Sequence, residues 1–174
     1  MLGESLLASA TAIIGAREEL DAIGPLIWVA AVALISTAAM WWIYFWPPHH
    51  TAITTLRRSF TYGYAHYFVF AAAGAFSAGI EVWIDELTGG SDLPPIATSF
   101  TTSVPIAVFL LGIWFVAIRE NADRVVNTAV PLGAVLVLLD PLLPVPVTLT
   151  AVILVAVVVV LVVRGPQRPV SSPS

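Results

Sequence analysis

Glu4, His66 and Glu81 are ionisable residues set inside stretches of sequence that are otherwise apolar. An ionisable side chain in a lipid-spanning segment costs at least ~2.5 kcal/mol, so each asks for a partner or a function. A carboxylate and an imidazole make a useful pair in such a setting, because histidine titrates near neutrality and can exchange a proton with the acid. Ser5 and Tyr67 place hydroxyls beside them. Glu4, Ser5, His66, Tyr67 and Glu81 are therefore the candidate ion or proton site.

Depth along the helices sorts these groups. Glu4 lies about 20 Å below Arg17 along a helix axis, and His66 roughly 27 Å below the outer end of its own segment. Glu4 and His66 are expected to be neighbours; Glu4 and Glu81 are not. At 100° per residue, Gly63, Tyr67, Phe70, Gly74, Ser77 and Glu81 share one side of their helix. Small residues with a carboxylate describe a face turned toward a bundle, where small-xxx-small spacing (Gly74 with Ala78, Ala75 with Gly79) permits close approach. Each group also has a plainer reading. Glu81 is about one turn from Asp85 and Glu86 and either reaches water or is paired for packing alone. His66 either hydrogen-bonds a backbone carbonyl or sits in the inner interfacial zone beside Tyr62 and Tyr64.

The elements that must position these residues are long apolar segments. The chain is 59% hydrophobic and 10% charged, with a mean hydropathy of +0.94, too apolar for one soluble core of 174 residues. Six segments stand out, at about 1–16, 24–46, 60–84, 96–118, 125–139 and 147–163. Crossing roughly 30 Å of hydrocarbon takes some 20 helical residues, and several segments meet that length. Only helices and closed barrels satisfy the backbone in lipid, so the valine-rich sixth segment is read as a helix despite its strand-like composition. The expected fold is an all-α integral membrane bundle of about six transmembrane helices over 1–164, followed by a disordered cytoplasmic tail at 165–174.

The loops orient the bundle. Arg57 and Arg58, Arg119 and Arg124, and Arg164 and Arg168 fall on one side, whereas Arg17 stands alone on the other. By the positive-inside rule, a multi-pass cell-membrane protein with both termini cytoplasmic is expected. The N-terminal residues show no basic stretch and no small-residue cleavage pattern, so a signal peptide is not expected. The first segment begins at Met1 without a cytoplasmic flank, so the expectation is either an unusually short span or a chain that is the C-terminal part of a longer protein.

Other motifs carry less. The cluster Trp41-Trp42-Ile43-Tyr44-Phe45-Trp46 reads as an aromatic interface anchor, with a cation cage as the alternative. His49-His50 lacks a third ligand, and the chain has no cysteine, so no metal or cofactor is expected. No phosphate loop, nucleophile elbow or zinc-protease motif occurs, and an enzyme is not expected. With a net charge of −4 and scattered basic residues, nucleic acid is not an expected partner. The expected partners are the lipid bilayer and either a second copy or a missing N-terminal half.

Three blocks carry a family resemblance: Leu2-Gly3-Glu4-Ser5, then Trp41-Trp42-Ile43-Tyr44-Phe45, then Tyr62-Gly63-Tyr64-Ala65-His66-Tyr67 with Gly79-Ile80-Glu81 beyond it. In this order they resemble the bacterial low-temperature-requirement A (LtrA) family of multi-helix membrane proteins, over about residues 2 to 81. The resemblance implies a polytopic membrane protein linked to growth at low temperature, about twice this length, with Leu-Gly-Glu-Ser near its middle. It assigns no chemistry to the matching residues Glu4, Ser5, Trp41, Trp42, Tyr44, Phe45, Tyr64, His66 and Glu81. Trp46-Pro47-Pro48 departs from the family pattern, which has a charged residue after the aromatic block. The function expected from the residues is proton- or ion-coupled transport, with a structural or assembly protein supporting growth in the cold as the alternative.

Overall fold

The computed structural model describes residues 3, 7, 10–11, 23–47, 56–120, 122–143 and 148–165. Glu4, Ser5, Arg17, His49, His50 and the tail beyond 165 lie outside the described residues, as do the side chains of Arg57 and Arg58. Gly3, Leu7, Ala10 and Thr11 are helical, in keeping with a first apolar helix. Five helices follow among the described residues: α1 (Ile23–Phe45), α2 (Leu56–Thr88), α3 (Pro95–Ile113), α4 (Arg124–Leu139) and α5 (Thr148–Arg164). A π-turn, Trp114–Ile118, prolongs α3, and a 3-10 turn, Asp140–Leu142, ends α4.

Among the described residues, four stretches are long and apolar enough to cross a membrane: Gly24–Phe45, Tyr62–Thr88, Pro95–Ile118 and Arg124–Leu142. The 17-residue α5 is shorter, rising about 25 Å, at the lower limit for a span. Their ends match the expected segments closely except in α2, which extends past 60–84 in both directions. Hydropathy falls at Arg57, Arg58, Asp85 and Glu86, but the backbone ladder continues through them, because losing apolar character does not break a helix.

Helices α2 and α3 form the closest pair, joined by the turn that contains Gly89 at φ 75°. The neighbours run on from α3 to α4, α4 to α5 and α5 to α1, with α1 also touching α2 and α3. Met40, Ile43, Val69, Phe109, Leu110, Ile113, Val130, Leu154 and Leu161 are buried between them.

One backbone contact sets the α2–α3 distance. Pro105 lies inside α3, and a proline there leaves the carbonyl four residues earlier, that of Thr101, without its helical donor. That carbonyl occupies the space a side chain on Gly79 would need: a Cβ there would lie 2.4 Å from Thr101 O. In return, Thr101 Oγ1 donates to the Gly79 carbonyl at 3.5 Å.

This contact overturns the expected inward face of α2. Gly63, Tyr67, Phe70, Gly74 and Glu81 are exposed, and Ser77 is half-buried. The buried face is instead His66, Val69, Ala73, Phe76, Ile80 and Ile84, a regular helical stripe. Glycine at 79, not at 63 or 74, marks the close approach, and the larger aliphatic residues around it fill the bundle.

At the end of the bundle where α1, α3 and α5 finish, Trp46 Nε1 donates to the Leu161 carbonyl at 2.8 Å. Arg164 pairs there with Asp123 at 3.5 Å, while the other oxygen of Asp123 caps α4 by accepting from the Val126 amide at 2.9 Å.

A candidate intramembrane site around His66

His66 is 7% exposed, on the buried face of α2. Helical spacing puts Tyr62 and Phe70 one turn to either side of it. The Tyr62 ring lies 4.0 Å from the imidazole, centre to centre, and tilted by 32°. Phe70 meets it edge-on at 5.8 Å. The end of α1 contributes Tyr44, also edge-on, at 5.9 Å. The imidazole is thus enclosed by aromatic rings from two helices.

His66 Nδ1 lies 2.9 Å from the Tyr62 carbonyl oxygen. A carbonyl can only accept, so this contact is a hydrogen bond when Nδ1 carries the ring proton. Beside this shell is a cavity of about 320 Å³, lined by Gly3, Trp41, Tyr44, Phe45, Phe70 and Phe109, among others. Gly3, Tyr44 and Phe70 come from three helical segments far apart in sequence. Gly3 adjoins Glu4 in sequence, and Glu4 itself lies outside the described residues.

Of the other predicted residues, those that are described do not converge there, and Glu4 and Ser5 lie outside the described residues. Glu81 is exposed and lies 15 residues beyond His66, about 22 Å along the axis. Tyr67 is 69% exposed, with its ring against Phe68 at 5.6 Å. Tyr64 is exposed as well. Trp41, Trp42 and Phe45 form an exposed aromatic group in which Trp41 and Phe45 are 5.1 Å apart, the arrangement of an interface anchor. Among the described residues no three His, Asp or Glu side chains are grouped to hold a metal ion.

Two polar devices have no counterpart in the sequence reading. Asp140 is 1% exposed, and its Oδ2 accepts from the Thr150 amide at 3.1 Å and from the Thr150 hydroxyl. It therefore caps the start of α5 from the preceding turn. Trp114 Nε1 donates to Asn127 Oδ1 at 3.0 Å, and Asn127 Nδ2 donates to the carbonyls of Arg119 and Ala122, each at 3.1 Å. An aspartate just ahead of an apolar run was the available signal for the first. Nothing local signals the second.

No curated protein and no solved structure matches the chain. The sequence model for the bacterial low temperature requirement A protein matches residues 1–163, nearly the whole chain, including the segments that meet around His66. The protein is a member of the LtrA family of membrane proteins.

Proposed function

We propose that this protein couples proton exchange at His66 to the movement of an ion or small solute across the membrane, with Glu4 as the proton partner. The observation that supports it is the burial of an imidazole among Tyr44, Tyr62 and Phe70, beside a cavity that Gly3 also lines. A basic Nε2 in a low-dielectric aromatic setting can hold or release a proton without bulk water, the property a coupling site needs. This reading assigns no chemical reaction to the chain.

The test is proton flux into proteoliposomes carrying a trapped pH-sensitive dye under an imposed pH gradient. His66→Ala and Glu4→Gln are each expected to reduce flux to that of empty vesicles. Glu81→Gln, on a residue about 22 Å away along the helix, should leave flux near the parent's. If both His66→Ala and Glu4→Gln preserve flux and growth in the cold, the coupling role is wrong.

A structural role is the second reading, and the hydrogen bond from His66 to the carbonyl of its own helix favours it. In that case the same substitutions lower the melting temperature and leave flux unaltered.

A further inference from the structure

A groove of about 940 Å³ runs between α2 and α3 in the half of the bundle nearest the Arg119 end. Its walls include Phe60, Tyr64 and Phe68 from α2 and Phe115 from the π-turn, and Ala65 and Gly112 line it between them. The aromatic walls are all exposed. On α2 the lining spans residues 56 to 68, about 18 Å of helix. One leaflet of a bilayer is about 15 Å of hydrocarbon. The groove is therefore long enough for the acyl chain of a single leaflet and has almost no polar group along it.

Its charged end says which lipid. The Arg119 guanidinium lies 4.1 Å from the centre of the Phe115 ring, so one wall of the groove also carries a cation. The π-turn fixes this position. The Arg119 amide donates to the Trp114 carbonyl at 3.0 Å, five residues back, and Asn127 holds both Trp114 and the Arg119 carbonyl. Asp123, four residues on, is committed to the α4 cap and to Arg164. Among the described residues Arg119 has no ion-pair partner. A held cation at the mouth of a leaflet-length apolar slot is complementary to a negatively charged headgroup on an acyl chain. We infer that the α2–α3 groove binds an anionic phospholipid of the leaflet on the arginine-rich side, with an acyl chain along Phe60, Tyr64 and Phe68 and its phosphate at Arg119. The inference is independent of the proton reading of His66.

The experiment is native mass spectrometry of the full chain in mild detergent, titrated with phosphatidylglycerol or with phosphatidylethanolamine of the same acyl composition. Retention of phosphatidylglycerol should exceed that of phosphatidylethanolamine by about fivefold, the factor one basic residue contributes near an anionic headgroup. Arg119→Gln should bring that ratio to about one while neutral lipid is still retained, and Arg119→Lys should keep most of the preference. Ala65→Phe, which fills the slot, should reduce retention of both lipids; Leu111→Trp serves the same purpose if that variant does not fold. Equal retention of the two lipids by the parent, or an unchanged ratio in Arg119→Gln, overturns the inference. So does a filled slot that retains lipid as before but disrupts a dimer, which would make the groove the seat of a second copy.

Discussion

At the scale of single residues, polar side chains in this protein act by supplying the hydrogen bonds that helix ends and helix interiors lack. Asp140 is the clearest case. Helix α5 begins at Thr148, so the Thr150 amide is among the first-turn donors with no partner inside the helix. A carboxylate from outside the helix takes that donor and the Thr150 hydroxyl together. Asp140→Ala leaves both without this acceptor in a buried position and removes a negative charge from the positive end of the helix dipole. The expected loss is about 1–2 kcal/mol, seen as a lower midpoint in thermal melts followed by circular dichroism in detergent. Asp140→Asn keeps an acceptor and should lose less. An unchanged midpoint for Asp140→Ala would mean that the cap is replaced by water. His66 obeys the same rule in a different way: its Nδ1 lies 2.9 Å from the Tyr62 carbonyl, a hydrogen bond made within its own helix when Nδ1 carries the ring proton.

At the scale of elements, the spans were readable and the faces were not. A run of twenty apolar residues identifies a membrane helix because backbone satisfaction in lipid leaves no alternative. Deciding which side faces inward needs a difference between sides, and lipid and protein interior are about equally apolar. On α2 the small residues and the carboxylate therefore pointed to the side of Gly63, Gly74 and Glu81, which is exposed. The information that selects the true side is split between two helices: Pro105 on α3 frees a carbonyl, and Gly79 on α2 makes room for it. Neither residue reveals this alone. The prediction that follows contrasts two glycines of the same helix. Gly79→Ala puts a Cβ against the Thr101 backbone, which cannot swing away like a side chain, and should cost about 1–3 kcal/mol. Gly74→Ala meets nothing within 4 Å and should be neutral or stabilising by up to ~1 kcal/mol. Equal shifts in melting temperature for the two variants would remove Gly79 as the close-packing position. The His66 shell was partly legible for the same reason. Tyr62, His66 and Phe70 follow from spacing within α2, whereas Tyr44 arrives from α1 through packing alone.

At the scale of the whole molecule, the ties at one end of the bundle make its orientation testable. Trp46 joins the end of α1 to the end of α5, and Arg164 joins the end of α5 to the start of α4. These contacts put Arg119, Arg124 and Arg164 at one end, and the topology puts the turn with Gly89, Ser91 and Asp92 at the other. The positive-inside rule predicts that the arginine-bearing end is the cytoplasmic one, because positive loops resist translocation. The chain contains no cysteine, so an introduced one is the single thiol on this sequence, and labelling is read on the purified protein. Glu120 and Asp92 are both exposed and stand at opposite ends. In intact cells a membrane-impermeant maleimide should label Asp92→Cys and spare Glu120→Cys, and permeabilisation should make the second as reactive as the first. The reverse pattern would keep the bundle and invert it, placing the Arg119 groove in the outer leaflet. Labelling of both variants in intact cells would break the alternation of spans between residues 92 and 120, which only a helix α3 that fails to cross the membrane could explain.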